Sequence, residues 1–186
     1  MRKVAVFGNA GGGKSTLASR LANITGLPLY VTDIFQFPNG RYQAHEVDGG
    51  KLSREMYEKL HDDIIGTDDW IIDGFDSLDL TWKRFDAADT LIHVDLPIAA
   101  HYWGITKRLA QGLFRNPAGW PEKTPVLESS LDSYRVVWRC HTRLTPKYRR
   151  LQTEMPSKTI YRLQSYSDIS NFLRDVSNRG DERQKS

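Results

Sequence analysis

Short apolar runs alternate along the chain with segments whose apolar residues recur at helical spacing. Residues 3–7, KVAVF, form a nearly continuous apolar run that is typical of a strand buried on both faces of a parallel sheet. Strands that alternate with helices predict a parallel sheet with helices on both of its faces. The further predicted strands are residues 27–35, 70–73, 90–96 and 158–163.

Helical spacing begins at Lys14, directly after the first strand. Leu17 and Leu21 predict a helix with one apolar stripe, and Gly26 and Pro28 are typical residues for its end. Five further helices are predicted. The first is capped by Ser53 and carries Met56, Leu60 and Ile64, and the second is short, with Leu78, Trp82 and Phe85 inward.

The third covers residues 98–113, with Ala99, Tyr102, Trp103, Thr106 and Leu109, and the fourth covers residues 128–145, with Val137, His141, Leu144 and Tyr148 on one face. The last begins at Ser167 and Asp168 and carries Ile169, Phe172, Leu173 and Val176.

The segments between these elements are rich in glycine, proline and polar residues. Residues 37–51 and 114–126 are predicted to be a loop and an irregular excursion, respectively. Pro146 is expected to kink or end the helix before it, because proline lacks the N–H group that a helix interior uses. Residues 178–186 are predicted to be a polar tail that frays.

The sequence GNAGGGKS, which joins the first strand to the first helix, matches the phosphate-binding P-loop pattern. Gly8, Gly13, Lys14 and Ser15 occupy its fixed places, and the required order of strand, loop and helix is present. Glycines let the backbone turn its N–H groups toward phosphate oxygens, and the helix N-terminus adds partial positive charge. The predicted nucleotide-binding residues are Gly8, Asn9, Ala10, Gly11, Gly12, Gly13, Lys14, Ser15 and Thr16.

This pattern predicts a site for ATP with Mg²⁺. Lys14 would reach the β- and γ-phosphates, and the Ser15 hydroxyl would hold the metal ion. Asp73 follows a buried strand, and ligands bind at the carboxyl ends of strands in such sheets, so Asp73 is the predicted acidic partner for Mg²⁺. The alternative is that Asp73 caps the neighbouring turn. His93 lies inside a strand and is predicted to be a packed core residue.

Composition adds limits on size and location. The 186 residues, 39% of them hydrophobic, suit a single domain, and no apolar stretch has the length of a membrane span. The N-terminus has no signal-peptide pattern, and Cys140, the one cysteine, excludes an internal disulfide, so a cytoplasmic protein is expected. The net charge of +3 is compatible with anionic small substrates and is weak support for nucleic-acid binding.

The longer pattern, IIDGF followed by HVDLP, HYWGITKRL and GLFRNPAGWPE, resembles the small P-loop kinases. It is most similar to the adenylate kinase-related, FlaR-like proteins that are often labelled DNA topology modulation proteins. The resemblance implies one domain over residues 1–177, with five parallel strands in the order 2-3-1-4-5. It also implies an acceptor-side arm at about residues 34–65 and a mobile lid at about residues 107–126, where a plain surface loop is the alternative. Asp95 is a rival to Asp73 for a supporting role near the metal ion, but in the family its position looks structural.

Arginines near the predicted lid suit the chemistry of phosphoryl transfer. The protein must position the reactants and neutralise charge on the transferred group, and the guanidinium fork of arginine matches phosphate oxygens. Arg108 and Arg115 flank the predicted lid, and Arg135, Arg139 and Arg143 follow on one helical face. We expect Arg108, Arg115 and Arg143 to close over ATP, with a solvated basic helix face as the alternative.

The phosphoryl acceptor is less well defined by the sequence. Gly74 and Phe75 would border its pocket, but the chain continues GFDS where adenylate kinases have Gly-Phe-Pro-Arg, so the usual acceptor arginine is missing. Asp33 would act as a base for a hydroxyl acceptor, whereas a nucleoside monophosphate needs none. Arg41, Arg54 and Arg84 are possible replacements for the missing arginine. The aromatic residues Phe35, Phe37, Tyr42, Trp82, Tyr102 and Trp103 either line a pocket for a base or belong to the core.

The expected function is therefore transfer of the γ-phosphoryl group of ATP–Mg²⁺ to a nucleoside monophosphate or other small acceptor. A kinase that uses Asp33 on a small-metabolite hydroxyl is one alternative. A nucleotide-dependent regulator or nucleic-acid binder is another, and its basic stripe would be residues 135–150. A GTPase is disfavoured because the Asn-Lys-x-Asp guanine motif is absent. The sequence does not fix the oligomeric state.

Overall fold

The computed structural model describes residues 1–32, 54–74, 77–112 and 126–184. Its five strands form one parallel sheet in the order β2-β3-β1-β4-β5, as the family resemblance implies. In chain order the elements are β1 (Lys3–Gly8), α1 (Lys14–Thr25), β2 (Leu29–Val31), α2 (Arg54–Gly66), β3 (Trp70–Asp73), α3 (Leu78–Ala87), β4 (Thr90–Val94), α4 (Ile98–Gly112), α5 (Val126–Arg139), a π-helical turn (Cys140–Leu144), α6 (Thr145–Glu154), β5 (Thr159–Leu163) and α7 (Tyr166–Gln184).

The core lies in two layers, one on each face of the sheet. Successive side chains of β1 point to opposite faces, so Val4 and Val6 pack on one side while Ala5 and Phe7 pack on the other. The first layer is closed by α1 and α7 through Leu17, Leu21, Phe172 and Leu173. The second layer is closed by α2, α3 and α6 through Ile64, Ile65, Phe85, Tyr148 and Leu151. This arrangement confirms the predicted α/β class.

The predicted inner face is wrong at one position of α3 and in much of α4. In α3, Phe85 is buried and Trp82 packs against the same core, as predicted, but Leu78 is 42% exposed and Arg84 is buried. In α4, the predicted stripe included Trp103, which is 66% exposed, and the buried face instead carries His101 and Ile105. In each helix a buried polar side chain, Arg84 or His101, belongs to the inner face. A pattern of apolar residues cannot identify such a side chain as buried.

The helix predicted at residues 128–145 continues beyond Pro146 as one helical path. Within the π-helical turn the N–H of Thr145 donates to the carbonyl of Cys140, a separation of five residues instead of four. Pro146 then lies in the first turn of α6, where a missing N–H group is tolerated. The path therefore changes its hydrogen-bond register at the π-helical turn without ending at the proline.

The last helix begins earlier and ends later than the sequence predicts. Ser165 and Asp168 form a capping box, in which Ser165 Oγ accepts from the N–H of Asp168 at 3.0 Å and Asp168 Oδ2 accepts from the N–H of Ser165 at 2.9 Å. Residues 178–184, predicted as a frayed tail, continue α7 as helix. Of the helices in the described ranges, none combines the length and apolar character needed to span a membrane.

Candidate functional site

A glycine loop, residues 8–13, joins the carboxyl end of β1 to the N-terminus of α1. Gly13 precedes α1 at a φ of +83°, a conformation that L side chains disfavour, and no side chain caps the helix there. The first turn of α1 carries no acidic residue. The free backbone N–H groups at this end of α1 therefore create a positive potential in front of the helix, which suits an anion.

The glycine loop packs closely against the end of β4 and against α4. A Cβ atom at Gly8 would lie 2.3 Å from the carbonyl oxygen of Val94, and one at Gly11 would lie 2.3 Å from that of His101. Both residues also have positive φ angles, +136° and +74°. Only glycine satisfies the packing and the backbone conformation at these two positions, which gives the first two loop glycines a structural reason.

Polar contacts fix the remaining loop residues. Lys14 Nζ donates to the carbonyl of Asn9 at 2.9 Å, which holds the ammonium group over the loop. The side chain of Asn9 is buried: its Oδ1 accepts from the N–H of Ala10 and its Nδ2 donates to the carbonyl of Val137, both at 2.9 Å. Ser15 and Thr16 are exposed at the start of α1. Residues 8–16 thus form one loop and helix start in which Asn9 and Gly12 are buried, and their binding of a nucleotide stays a prediction.

Asp73 lies at the end of β3, opposite Val6 of β1. It is 1% exposed, and within the described residues neither carboxylate oxygen has a hydrogen-bond partner. The alternative in which its side chain caps the neighbouring turn therefore has no hydrogen bond to support it there. A buried carboxylate without a partner is costly, so its retention beside the glycine loop favours a cation as its partner. No group of three or more His, Cys, Asp or Glu residues in the described part of the chain is arranged for a metal.

Arg84 lies beside Gly74, the residue that follows β3. The residue is 1% exposed, and its Nη2 donates to the carbonyl of Gly74 at 3.3 Å. Gly74 directly follows Asp73 and has a φ of +121°. Of the three arginines named as replacements for the missing acceptor arginine, Arg84 is therefore the one that the structure places beside Gly74; Arg41 lies outside the described residues, and Arg54 pairs with Glu58 on the exposed side of α2.

A basic groove lies beside the glycine loop, with a volume of about 550 Å³. The buried contact of Asn9 with Val137 joins the loop to α5, the helix that also carries Val136 and Arg139 of the groove. Burial raises the pKa of the Cys140 thiol, and the charge of Lys14 acts in the opposite direction, which is a further sign of closeness. The groove is lined by Leu78, Val136, Arg139, Cys140, Arg143, Leu144 and Lys147. The predicted Arg143 thus lies in the groove, together with Arg139 and Lys147.

Asp95 and His93 have structural roles, as expected. Asp95 accepts from Arg149 Nε at 2.9 Å and from Arg162 Nε at 2.7 Å. Burial raises the pKa of Asp95, but the two guanidinium groups outweigh it and hold the pKa below the usual value. His93 stacks on Phe7 with ring centroids 5.0 Å apart, and burial lowers its pKa to about 4. Because Arg149 is paired with Asp95, its charge is not available to the basic stripe that a nucleic-acid binder would use.

The other predicted site residues are placed apart from the loop or lie outside the described residues. Trp82 packs edge-on against Phe85, Tyr102 stacks on Tyr134 of α5, and Trp103 is exposed, so these three aromatics do not form one pocket. Arg108 is half-buried on α4. The predictions for Asp33, Phe35, Phe37, Tyr42, Phe75 and Arg115, and for most of the arm and lid, fall outside the described residues.

No protein-family model matches this chain. No curated protein matches it either. The resemblance to small P-loop kinases therefore stays a prediction that depends on the motif and on the geometry described above.

Proposed function

We propose that the chain is a phosphotransferase that binds ATP with Mg²⁺ at residues 8–16 and transfers the γ-phosphoryl group to a small acceptor. The observation that carries the proposal is the pairing of two features at one edge of the sheet. An uncapped helix N-terminus follows a tight glycine loop, and at the end of the adjacent strand lies a buried carboxylate that has no hydrogen-bond partner among the described residues. The first feature suits phosphates and the second suits their metal ion.

The residues of the loop divide the work of binding the triphosphate. Backbone N–H groups of the glycine loop and of the first turn of α1 would donate to phosphate oxygens. Lys14 would exchange its contact with the carbonyl of Asn9 for the β- and γ-phosphates, because an anionic oxygen is the stronger acceptor. This exchange requires only a side-chain rotation, since the ammonium group already lies over the loop.

Ser15 and Asp73 fit a magnesium ion. Mg²⁺ prefers oxygen ligands and keeps several waters beside substrate phosphates, so one hydroxyl and one carboxylate are a sufficient protein contribution. Asp73 is buried without a partner in the described residues, and Ser15 is exposed at the N-terminus of α1. When bound, the ion supplies positive charge that neutralises the charge on the transferring phosphoryl group.

The basic groove would receive the negatively charged part of the reactants. Arg139, Arg143 and Lys147 bring three cations to a surface that the Asn9–Val137 contact joins to the glycine loop. Arg84 beside Gly74 supports an acceptor that is itself anionic, such as a nucleoside monophosphate. The proposed lid, with Arg108 and Arg115, and the proposed base Asp33 remain parts of the family prediction.

The binding step is tested by calorimetry with ATP and Mg²⁺. Wild type should bind, and Lys14→Met should weaken the affinity at least about tenfold because a charge-assisted contact to the phosphates is lost. Arg20→Met is the matched control: it removes an exposed cation from the same helix and should leave the affinity unchanged. Absence of ATP binding by the wild type would contradict the proposal.

The transfer step is tested by coupled ADP release with a panel of nucleoside monophosphates, nucleosides and hydroxylated metabolites. Stimulation by a nucleoside monophosphate, lost in Lys14→Met, is the expected result. Stimulation by a nucleoside or hydroxylated metabolite alone would identify the hydroxyl-acceptor kinase instead. Strong, salt-dependent binding to DNA that Lys14→Met leaves unchanged would favour the nucleic-acid alternative.

A further inference from the structure

Helix α4 lies directly against the glycine loop, and His101 is the side chain at this contact. His101 is 2% exposed, and its Nδ1 lies 2.9 Å from the carbonyl oxygen of Ala10. A carbonyl oxygen only accepts hydrogen bonds, so this hydrogen bond forms in the tautomer that carries its proton on Nδ1, with the imidazole as donor. Nothing in the P-loop pattern includes His101, which lies 91 residues from Ala10 in the chain.

No side chain separates the histidine from the loop backbone. A Cβ atom at Gly12 would lie 2.8 Å from Cε1 of His101, and one at Gly104 would lie 2.0 Å from the carbonyl oxygen of Gly11. The backbone of α4 therefore touches the loop at Gly104, one helical turn after His101. Close packing on this side leaves the peptide between Ala10 and Gly11 little freedom to rotate.

We propose that His101 is a positioning residue, which orients the peptide between Ala10 and Gly11 for phosphate binding. In a trans peptide the carbonyl and the following N–H point in opposite directions. Because His101 holds the carbonyl of Ala10 toward α4, the N–H of Gly11 is directed away from α4, which is the side that the proposal assigns to phosphate. This inference rests on the proposed function, because it takes the loop to be the phosphate site.

The protonation of His101 is consistent with this role. Burial is the largest influence and lowers the pKa of His101, and the charges of Lys14 and His141 act in the same direction. The carbonyls of Ala10 and Leu96 act in the opposite direction without reversing the shift. The imidazole is thus neutral at pH 7, with one N–H to donate, and it adds no positive charge that would itself explain binding of an anion.

Two substitutions separate the hydrogen bond from the packing. His101→Leu keeps an apolar side chain of similar bulk but donates nothing, whereas the amide of His101→Asn can donate from about the place of Nδ1. We expect His101→Leu to raise the dissociation constant for ATP–Mg²⁺ about tenfold, the loss typical of one well-placed hydrogen bond. His101→Asn should restore the affinity to within about threefold of wild type. Thermal unfolding of both variants shows whether each one folds.

The outcomes distinguish this inference from the proposed function. Wild-type affinity in a folded His101→Leu would overturn the positioning role and leave nucleotide binding intact, and so would a folded His101→Asn that binds as weakly as His101→Leu. A wild type without affinity for ATP would overturn both. Nitrogen-15 spectra of wild-type His101 give a check that needs no variant: a proton on Nδ1 is expected, and one on Nε2 alone would overturn the inference.

Discussion

At the scale of single residues, Asp73 has the environment that most needs an explanation. A carboxylate that is 1% exposed loses its hydration, and no hydrogen bond from the described residues compensates for that loss. The carbonyl of the same residue accepts from Thr32 Oγ1 at 3.3 Å, so the backbone is satisfied while the side chain is not. A site that binds a cation is expected to carry such a cost when no cation is bound.

Replacement of Asp73 by asparagine should therefore separate stability from binding. We expect Asp73→Asn to raise the free energy of unfolding by about 1 kcal/mol, because it replaces a buried carboxylate that has no hydrogen-bond partner among the described residues. The same change should abolish the gain in ATP affinity that Mg²⁺ provides. Urea unfolding without nucleotide and calorimetry with and without Mg²⁺ measure the two effects.

Asp68→Asn is the matched control, because Asp68 is exposed just before the same strand. It should change neither quantity by more than about 0.5 kcal/mol. The interpretation of Asp73 would be wrong if Asp73→Asn were less stable than wild type and still bound ATP better with Mg²⁺ than without it.

The place of a single residue can be predicted from the sequence when the contacts that determine it lie nearby in the chain. Gly8, Gly13, Lys14 and Ser15 follow from one short motif, since the loop backbone is determined by neighbours in the chain. The burial of Arg84 could not be predicted, because it depends on a carbonyl ten residues away at the end of another element. His101 is a similar case, because its partner lies across the sheet edge. The pattern of apolar residues along the chain predicts neither the burial of Arg84 nor the contact of His101.

At the scale of elements, the contact of α4 with the glycine loop depends on the absence of a side chain at Gly104. A Cβ atom there would lie 2.0 Å from the carbonyl oxygen of Gly11, which is backbone and cannot rotate away. Gly180 is also a helical glycine, but a Cβ atom there would meet nothing within 4 Å. Replacement of each glycine by alanine therefore compares the same substitution at a crowded position and at an open one.

We expect Gly104→Ala to lower the free energy of unfolding by about 1–3 kcal/mol, the usual cost of overpacking, and to weaken ATP binding as α4 moves from the loop. Gly180→Ala should raise the free energy of unfolding by up to about 1 kcal/mol, since alanine is the better helix former. Denaturant unfolding of both variants tests the pair. Equal effects of the two substitutions would show that α4 does not press on the loop.

Elements were predictable where a strong local pattern has clear ends. Residues 70–73 were predicted as a strand and form β3 with those bounds, because a short apolar run lies between polar turns. The π-helical turn at Cys140–Leu144 was not predictable, since α- and π-helical backbones differ by one hydrogen-bond register that the composition does not specify. The sheet order came from the family resemblance, not from the pattern of apolar residues.

At the scale of the whole molecule, buried histidine makes stability depend on pH. Burial lowers the pKa of His93 to about 4 in the fold, while an unfolded histidine titrates near about 6.5. Between these values the unfolded chain binds a proton that the folded chain does not. The free energy of unfolding must therefore fall as the pH is lowered from about 6.5 toward about 4.

The expected loss from His93 over this range is about 3 kcal/mol. His93→Phe preserves an aromatic ring against Phe7 and Tyr148 and removes the titration, so its stability should vary less with pH. Urea unfolding of wild type and variant at pH 7.5, 5.5 and 4.5 provides the comparison. Parallel curves for the two proteins would show that His93 does not cause the dependence.

The π-helical turn also determines how the chain would respond to small insertions and deletions. It accommodates one residue more per turn than an α-helix, and each residue of an α-helix adds a rotation of about 100°. A single deletion within residues 140–144 that restored plain α-helix would therefore leave the angle between α5 and α6 nearly unchanged, because the deleted residue is the one that the wider turn accommodates. Arg139 would still face the groove while Tyr148 and Leu151 face the sheet, whereas one residue added in plain α-helix between them would rotate α6 by about 100° and separate the two orientations.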